Sequence, residues 1–357
     1  MMSSPLSVSP EAGEPFSAGP LCPLFGVCGG CQHQDVSYQE ECRRKVDILQ
    51  TLLRNTLNLE TLPLSPLVPS PREYHYRCRL DMKLLKTRAG EIFMGFSPVG
   101  KNRVVEAAAC PIALTAISDF LPELKKQAVA RLPAKYRNAN LVVKSGDDGR
   151  VFWGGIGRRS LKMKEEDYLW TLVRGRKIYF SLDTFFQANL SILPVLMEHI
   201  IDLGVLGPDV ALFDLYGGVG LFGVSLHDLV KEVILVEENV YATQCAAYNA
   251  LVSHCSRFKI MTGRVENMVL SHAAGGTAHR QVAIIDPPRQ GLHHQAAASL
   301  AQDKFFSHLI YLSCHMDSLA RDLKIFLAHQ WLVEKIIPFD FFPKTRHLET
   351  LVLLSSH

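Results

Sequence analysis

Two residues near the end of the chain have side chains that could do chemistry together. Cys314 directly follows the apolar run "LIYLS" and precedes the helical pattern "MDSLARDL". A free thiol has a pKa near ~8.5, which a helix start or a neighbouring cation lowers toward the reactive thiolate. Glu349 stands two residues after His347, at the start of an apolar run, where a half-buried carboxylate could act as a general base. These residue types indicate a nucleophile and a proton acceptor.

A second group of residues has the pattern of a cofactor-binding turn. In "ALFDLYGGVGLFG" an apolar run ends at Asp214, and Gly218, Gly220 and Gly223 form G-x-G-x-x-G. Glycines let the backbone approach a ligand, and the amides of the following helix face it. Glu237, at the end of the next apolar run, suits a ribose hydroxyl of a dinucleotide or of S-adenosylmethionine equally well.

The run "AIIDPPRQG" bears on the choice between a dinucleotide and S-adenosylmethionine. Its two prolines fix a rigid turn that presents Asp286 and Arg289 at the mouth of the sheet, beside the glycine turn. A nicotinamide-dependent dehydrogenase has no evident use for such a turn, so the pattern weakens that alternative.

The elements that position these residues follow from hydrophobic patterning. From residue 184 to 357, helical patterns alternate with short apolar runs, which predicts a doubly wound parallel α/β sheet with ligands at the carboxyl ends of its strands. Residues 63–183 begin with the proline-rich connector "PLSPLVPSPR" and continue as short β-branched or aromatic segments, which predicts a β-rich domain. Residues 21–62 hold a cysteine-rich segment and an amphipathic helix with Val46, Leu49, Leu52, Leu53 and Leu57 on its apolar face and charges on the other. Residues 1–20 are predicted to be a disordered tail.

Composition narrows the class of protein. A chain of 357 residues suits two domains, and it has neither a stretch of roughly 18 apolar residues nor a signal-peptide pattern, which predicts a cytoplasmic protein that does not enter a membrane. Residues 1–180 hold 26 Lys and Arg against 18 Asp and Glu, a net charge of +8, while residues 181–357 hold 12 against 17, a net charge of −5. The basic half fits either a polyanionic partner such as nucleic acid or a solvated lysine-rich surface.

The segment "CPLFGVCGGC" places three of the nine cysteines within ten residues. Cytosolic cysteines stay reduced unless they bind metal or do chemistry, so this spacing points to a metal site.

Together, these motifs resemble the bacterial RNA uridine-5-methyltransferase family, in particular its iron–sulfur branch that modifies 23S ribosomal RNA, and the resemblance runs from residue 22 to the end. It implies a C-terminal Rossmann-like methyltransferase domain, S-adenosylmethionine as the cofactor and an RNA partner. It also implies that Cys314 adds to carbon 6 of uracil, that Glu349 removes the proton from carbon 5, and that Arg289 supports the enolate or the thiolate. Nothing in the sequence indicates an oligomer, so we expect a monomer.

The resemblance also assigns cofactor and metal ligands. The residues implied at S-adenosylmethionine or at the edge of the target base are Gln187, Tyr216, Gly218, Gly220, Glu237 and Asp286, with Asn189 and Asn249 as weaker candidates. Those implied at a [4Fe–4S] cluster are Cys22, Cys28 and Cys31 in C-x5-C-G-G-C, with Cys110 of "AAACPI" as the fourth ligand. Four thiolates suit zinc as well, so the choice of iron–sulfur rests on the resemblance. The cluster is expected to stabilise the fold and to position RNA, and Cys42, Cys78, Cys245 and Cys255 are expected to be packing residues.

Several features bear on the substrate. The residues expected to grip RNA phosphates are Arg72, Arg77, Arg79, Lys101, Arg158, Arg159, Arg174 and Arg176. The family usually has a cysteine or another small residue at Gly217, a polar residue at Leu221, and Asn-Pro where this chain has His315 and Met316. The 21 residues before Cys22 leave no room for the small β-barrel TRAM domain that relatives often carry.

Two alternatives stay open: a transfer RNA enzyme with the same chemistry, and an RNA-binding protein whose methyltransferase half has decayed.

Overall fold

The computed structural model describes residues 19–59, 61–98, 103–156, 161–273 and 280–356. Most of the predicted N-terminal tail therefore lies outside the described residues. Within these ranges, no helix has both the length and the apolar character needed to cross a membrane.

The predicted amphipathic helix is present as α1, Tyr38–Leu57. The Ser37 side chain caps its first turn by accepting a hydrogen bond from the amide of Glu40 at 3.2 Å. Leu49, Leu53 and Leu57 are buried in one core, as predicted. The same face also buries two charged residues that the sequence pattern places with the exposed ones, Glu41 and Lys45.

The central region contains a five-stranded antiparallel sheet of order β3-β2-β1-β4-β5 and a separate hairpin. Its strands are β1 Arg79–Lys86, β2 Ile92–Phe96, β3 Val105–Glu106, β4 Asn138–Ser145 and β5 Val151–Gly154, and the hairpin is β6 Leu169–Val173 with β7 Arg176–Phe180. A 17-residue helix that the sequence prediction lacks, α2 at Thr115–Arg131, packs on this sheet. The helix contains Pro122, a residue that normally argues against a helix interior.

The C-terminal half is built on a seven-stranded sheet of order β10-β9-β8-β11-β12-β14-β13. Its strands are β8 Val210–Leu215, β9 Glu232–Glu237, β10 Phe258–Thr262, β11 Arg280–Ile285, β12 His308–Ser313, β13 Trp331–Phe339 and β14 Glu349–Ser356. The first five strands pair in parallel, whereas β14 is antiparallel to both β12 and β13. The prediction of a wholly parallel sheet is therefore wrong, because the short connection from β13 to β14 allows only antiparallel pairing.

Helices cover both faces of this sheet. They are α3 Leu193–Ile201, α4 Leu221–Leu226, α5 Val240–Val252, α6 His294–Gln302 and α7 Met316–Ala328. One core contains residues of α3, α4 and α5 together with the β6–β7 hairpin, and the other contains residues of α1, α6 and α7. The proline-rich connector runs beside β13, where Leu64 pairs with Ile336 and Val68 with Phe339. The N-terminal segment is thus packed directly onto the C-terminal half.

Candidate active site

The candidate catalytic residues meet at one edge of the large sheet. Leu215 at the end of β8 pairs with Ile285 at the end of β11, and the amide of Asp286 donates to the Leu215 carbonyl at 3.3 Å. Ser313 at the end of β12 pairs with Thr350 of β14. Because β14 runs antiparallel, its first residue lies at the edge where the parallel strands end.

Cys314 and Glu349 are therefore neighbours across two paired strands, although 35 positions separate them in the sequence. The Glu349 side chain is only 2 % exposed, and its Oε1 has no hydrogen-bond partner among the described residues. Burial, and next the charge of Asp286, raise the pKa of Glu349 well above its usual range, although Arg289 opposes them. These effects favour the protonated form of the carboxyl group, which lies beside the thiol.

The Cys314 thiol differs from the sequence expectation. Its pKa is raised to about 12, first by burial and then by the charges of Glu349 and Asp286, while the charge and a hydrogen bond of Arg289 lower it. The expectation of a lowered pKa is wrong, because burial and the two carboxyl groups outweigh the cation. Among the charges of described residues that act on the thiol, Arg289 is the one that favours the thiolate.

Asp286 is joined to the central region through Gln187. The Gln187 Nε2 donates to Asp286 Oδ2 at 2.8 Å, and burial raises the pKa of Asp286 to about 7. The backbone around Gln187 is held in turn by buried side chains. Cys78 Sγ donates to the Gln187 carbonyl at 3.3 Å, and Lys144 Nζ donates to the carbonyls of Ser181 at 2.7 Å and Thr184 at 2.5 Å.

The glycine turn between β8 and α4 has the predicted form. The carboxylate of Glu237 accepts from the amide of Gly218 at 3.0 Å and from the amide of Asn239 at 2.7 Å. Gly218 has a φ of +53°, and a Cβ added there would meet no atom within 4 Å. At Gly217, by contrast, a Cβ would lie 2.7 Å from the Leu235 side chain. Gly218 therefore borders open space, whereas Gly217 is required by packing against β9.

A cavity of about 460 Å³ opens beside this turn. Its lining includes Tyr216 and Glu237, which the sequence predicts, together with Arg264, Glu266 and Arg321. The Tyr216 hydroxyl is buried, and no described residue forms a well-aligned hydrogen bond with it. Burial raises the pKa of this hydroxyl, while the nearby His293 amide lowers it. Glu266 lies in the short helical turn 265–267, shortly after the carboxyl end of β10. Because ligands bind at the carboxyl ends of parallel strands, the position of Glu266 in the sequence could have indicated this part of the cavity.

The cavity and the catalytic residues are adjacent but distinct. Neither Cys314 nor Glu349 lines the cavity, and neither does Gln187. The open turn at Gly218 and the unpaired Tyr216 hydroxyl fit a nucleoside that enters from the cavity side.

Comparisons with known proteins agree with this geometry. The tRNA (Uracil-5-)-methyltransferase family matches residues 156–357. The chain belongs to this family. Its members are S-adenosylmethionine-dependent RNA uracil-C5 methyltransferases, so the α/β fold of the C-terminal half is that of a methyltransferase that uses this cofactor.

Individual relatives include enzymes named for two classes of RNA. The chain is 26% identical over 377 residues to a 23S rRNA (uracil(1939)-C(5))-methyltransferase of Photorhabdus laumondii, covering 96% of this chain and 83% of the relative. It is also 26% identical over 355 residues to a tRNA (uracil(54)-C(5))-methyltransferase of Schizosaccharomyces pombe, covering 94% and 65%. A crystal structure of the Pyrococcus abyssi tRNA (uracil-54, C5)-methyltransferase with S-adenosyl-L-homocysteine has the same fold, with a TM-score of 0.68, 20% identity, and coverage of 91% and 85%.

The predicted cluster cysteines of this methyltransferase lie in one neighbourhood. The charges of Cys110, Cys22 and Cys28 all act on Cys31, whose pKa is raised to about 11, mainly by burial. Within the described ranges, however, no group of three or more His, Cys, Asp or Glu side chains is close enough to hold a metal ion. The four thiols are thus close enough for their charges to interact, without forming a metal site in the described part of the chain.

The remaining cysteines have varied surroundings. Cys78 and Cys245 are buried, and Cys42 and Cys255 are partly buried. Burial raises the pKa of Cys42, Cys78 and Cys255 to about 11.

The side chains of the two weaker cofactor candidates form hydrogen bonds within the protein. Asn249 accepts from the Tyr179 amide at 2.7 Å and donates to the carbonyls of Tyr179 and Val219, at 2.8 and 2.9 Å. Asn189 donates to the Ser70 hydroxyl at 2.9 Å. Both amides therefore join parts of the fold, and Asn249 anchors the glycine turn through Val219.

The basic residues predicted to hold RNA differ in their surroundings. Arg174 and Arg176 pair with Asp228 at 2.9 and 3.2 Å, and Arg79 pairs with Asp81 at 2.7 Å. The predicted phosphate contacts Lys101, Arg158 and Arg159 lie outside the described residues. Arg72 is exposed, and Arg77 is partly buried, with its Nε donating to the Arg79 carbonyl at 2.9 Å.

Proposed function

We propose that this protein makes 5-methyluridine in 23S ribosomal RNA through a covalent enzyme–uracil adduct. The observation that carries the proposal is the juxtaposition of Cys314 and Glu349 on paired antiparallel strands, with Asp286 and Arg289 acting on both. A nucleophile and a base at this spacing are what substitution at carbon 5 of uracil needs, because that carbon is a poor nucleophile in the free ring.

The proposed sequence of bond changes uses two side chains of the protein. The Cys314 thiolate adds to carbon 6 of uracil, and the electrons of the carbon 5–carbon 6 double bond make carbon 5 nucleophilic. S-adenosylmethionine, when bound, would supply the electrophilic methyl group that carbon 5 takes up, and the electrons of the broken methyl–sulfur bond would stay on its sulfur. Glu349 then removes the proton from carbon 5, and those electrons restore the double bond and expel the thiolate.

The surroundings of the two groups support these roles. The unpaired Oε1 of Glu349 is free to accept a proton once the carboxyl group has ionised. Arg289 is the cation that opposes the two carboxyl groups at the thiol, so it favours the thiolate and would also stabilise the enolate oxygen. The target uridine must leave its stack to reach Cys314, which favours a looped or flipped nucleotide.

The cofactor is proposed to lie between the cavity and the sheet edge. Tyr216 and Glu237 would contact the nucleoside of the cofactor. Gly218 and Gly220 would allow the protein backbone to come close to it. Gln187 and Asp286 would face its methyl-bearing end. The open space at Gly218 and the cavity of about 460 Å³ support this placement.

A four-iron cluster is proposed at Cys22, Cys28, Cys31 and Cys110. The charges of Cys22, Cys28 and Cys110 act on Cys31, which supports a shared site. Four thiolates suit a zinc ion as well as a four-iron cluster, so the choice of iron–sulfur rests on the resemblance to the iron–sulfur branch of the family. The cluster would link the N-terminal segment to the start of α2, where the Cys110 amide is held by Ser118 at 3.0 Å, and it takes part in no bond change. Iron and sulfide analysis of anaerobically purified protein tests this assignment, with Cys42→Ser as the control for Cys31→Ser.

Mapping of 5-methyluridine by mass spectrometry tests the substrate. Ribosomal and transfer RNA from cells with and without this gene are compared, and the gene is restored as wild type or as Cys314→Ala. Loss at a 23S ribosomal RNA site that only the wild type restores is the expected result. Loss confined to transfer RNA would move the assignment to the transfer RNA reaction, which the S. pombe relative favours.

A second experiment tests whether the site is active at all. RNA that carries 5-fluorouridine should form a stable adduct with Cys314, because fluorine replaces the proton that Glu349 removes. Absence of any adduct, together with unchanged RNA in the cells, would support a decayed RNA-binding protein instead.

A further inference from the structure

Side chains of helix α7 form hydrogen bonds to several backbone carbonyls of the loop that contains Arg289. The Ser318 hydroxyl donates to the Arg289 carbonyl at 3.0 Å. Arg321 Nη2 donates to the carbonyls of Gln290 at 2.9 Å and Leu292 at 3.3 Å. Loop 289–292 therefore has little freedom relative to the helix.

Asp322 is at the centre of these contacts. Its buried carboxylate accepts from the Leu292 amide at 2.8 Å, from the Tyr311 hydroxyl at 2.7 Å, and from Arg321 Nε and Nη2 at 2.8 and 2.7 Å. Gly291 has a φ of +77°, and a Cβ added there would lie 2.5 Å from both Arg321 and Asp322. The loop backbone thus packs directly on this pair of side chains.

The same helix positions the nucleophile. Helix α7 begins two residues after Cys314, and the Ser318 hydroxyl that binds the Arg289 carbonyl also donates to the His315 carbonyl at 3.0 Å. The backbone next to the thiol and the backbone of Arg289 are therefore both anchored to the first turns of α7.

We propose that Arg321 and Asp322 are positioning residues, which hold loop 289–292 on the helix of Cys314 and thereby keep the Arg289 guanidinium beside the thiol. This inference rests on the proposed role of Cys314 as the nucleophile. It assigns a task to two residues that touch neither the uracil nor the reacting atoms.

The charges around the thiol make the effect measurable. Cys314 faces Glu349 from β14, Asp286 from the end of β11, and Arg289 from the loop, while the neighbouring His315 faces the exposed Asp317 at 3.9 Å. If loop 289–292 moves, the thiol keeps its two acidic neighbours and loses the cation. Its ionisation then requires a higher pH.

Alkylation of Cys314 measures this directly. The protein is treated with iodoacetamide between about pH 7 and about pH 10, and the Cys314 peptide is quantified by mass spectrometry. We expect Asp322→Asn to move the alkylation profile up by about one pH unit, which is a roughly tenfold slower reaction at neutral pH. Asp209→Asn is the matched control, because Asp209 also pairs with two nitrogens of an arginine, Arg280, at 2.9 and 3.1 Å, but precedes β8 at the opposite edge of the sheet.

A double variant separates positioning from general loosening. If Asp322 acts through Arg289, Asp322→Asn adds no further shift to Arg289→Gln, whereas independent effects would add. Should Asp322→Asn fail to fold, Arg321→Lys replaces it, since that side chain is 53% exposed and lysine keeps the charge without the paired bonds.

Each outcome decides one claim. An unchanged alkylation profile in folded Asp322→Asn and Arg321→Lys overturns the positioning role, and additive shifts with Arg289→Gln do the same. Neither result affects the proposed function, which fails instead if Cys314→Ala still methylates RNA. Because alkylation needs neither RNA nor cofactor, the two failures are distinguishable.

Discussion

Two of the buried groups of charged side chains in the described part of the chain differ in how far their charges are paired. Between α1 and the loop before β14, Lys45 Nζ lies 2.7 Å from Glu41 and 2.8 Å from Asp340, and it also donates to the Phe342 carbonyl at 3.2 Å. In the same group Lys344 pairs with Glu73 at 2.8 Å.

At the sheet edge, by contrast, acidic groups gather almost without cations. Asp214 and Glu349 are buried, and Asp286 is partly buried. In the described part of the chain, Arg289 is the cation whose charge acts on Glu349. Burial raises the pKa of Asp214 to about 8. The first group pairs its charges, and the second leaves a deficit of positive charge, which the cationic cofactor would fill in the proposed reaction.

The largest expected difference between the two groups is in catalysis. Glu349→Gln should lower the methylation rate by about 10²–10⁴-fold, because it removes the general base. The free energy of unfolding should stay the same or rise, because glutamine at position 349 has no carboxyl group whose ionisation in a buried site would cost free energy. Single-turnover methylation of RNA and denaturant unfolding measure the two effects.

Glu334→Gln is the matched control for that variant. Glu334 lies on the adjacent strand β13, where its carboxylate accepts from Ser355 at 2.5 Å near the other end of β14. Its replacement should leave the methylation rate unchanged. A large loss of stability in Glu349→Gln would contradict the contrast between the two groups.

Breaking the neutralised group should affect stability instead. Lys45→Met leaves the carboxylates of Glu41 and Asp340 buried without their cation, which typically costs about 3–5 kcal/mol. Arg43→Met on the same helix removes exposed pairs with Glu40 and Asp47 and should leave the free energy of unfolding nearly unchanged, because solvent screens exposed ion pairs. Urea unfolding compares the two variants, and similar small losses in both would show that the Lys45 group is not structural.

The smallest effect is a change in how stability depends on pH. The folded pKa of Asp214 is about 8, above the ordinary 3.8, so between these values the folded protein binds a proton that the unfolded chain releases. Stability therefore falls as pH rises through this window and levels off above it. Asp214→Asn should remove up to about 1.4 kcal/mol per pH unit of that slope, as measured by unfolding at about pH 5, 6 and 7.

Asp228→Asn is the control for this slope. The pKa of Asp228 is lowered, because its contacts with Arg174 and Arg176 outweigh its partial burial. Its contribution to stability is lost only as pH falls below the ordinary carboxyl range, so this variant should keep the wild-type slope. Equal slopes in wild type and Asp214→Asn would show that Asp214 does not titrate in this window.

Local sequence patterns predicted most of the strand ends at the sheet edge that holds Cys314 and Glu349. The strand ends before Asp286 and Cys314 and the strand start at Glu349 agree with the structure, because each follows from a short apolar run beside a turn. Helix α2 was missed even though Ile117, Leu121 and Leu124 have helical spacing and are buried.

Long-range charge interactions could not be predicted in the same way. Lys45 and Asp340 are 295 positions apart, and no local pattern relates them. The raised pKa of the Cys314 thiol likewise depends on Glu349, which reaches it only through the pairing of β12 with β14. Both properties belong to the assembled fold rather than to any segment.

The order of the strands also sets when the site can exist during synthesis. Strand β14 lies between β12 and β13, both of which leave the ribosome before it. A nascent chain therefore exposes the thiol of Cys314 before Glu349 has joined it, and the edge of β12 stays unpaired until β14 inserts. The pairing of the proposed nucleophile with the proposed base is thus a late product of folding, and a chain interrupted before β14 would contain the first but not the second.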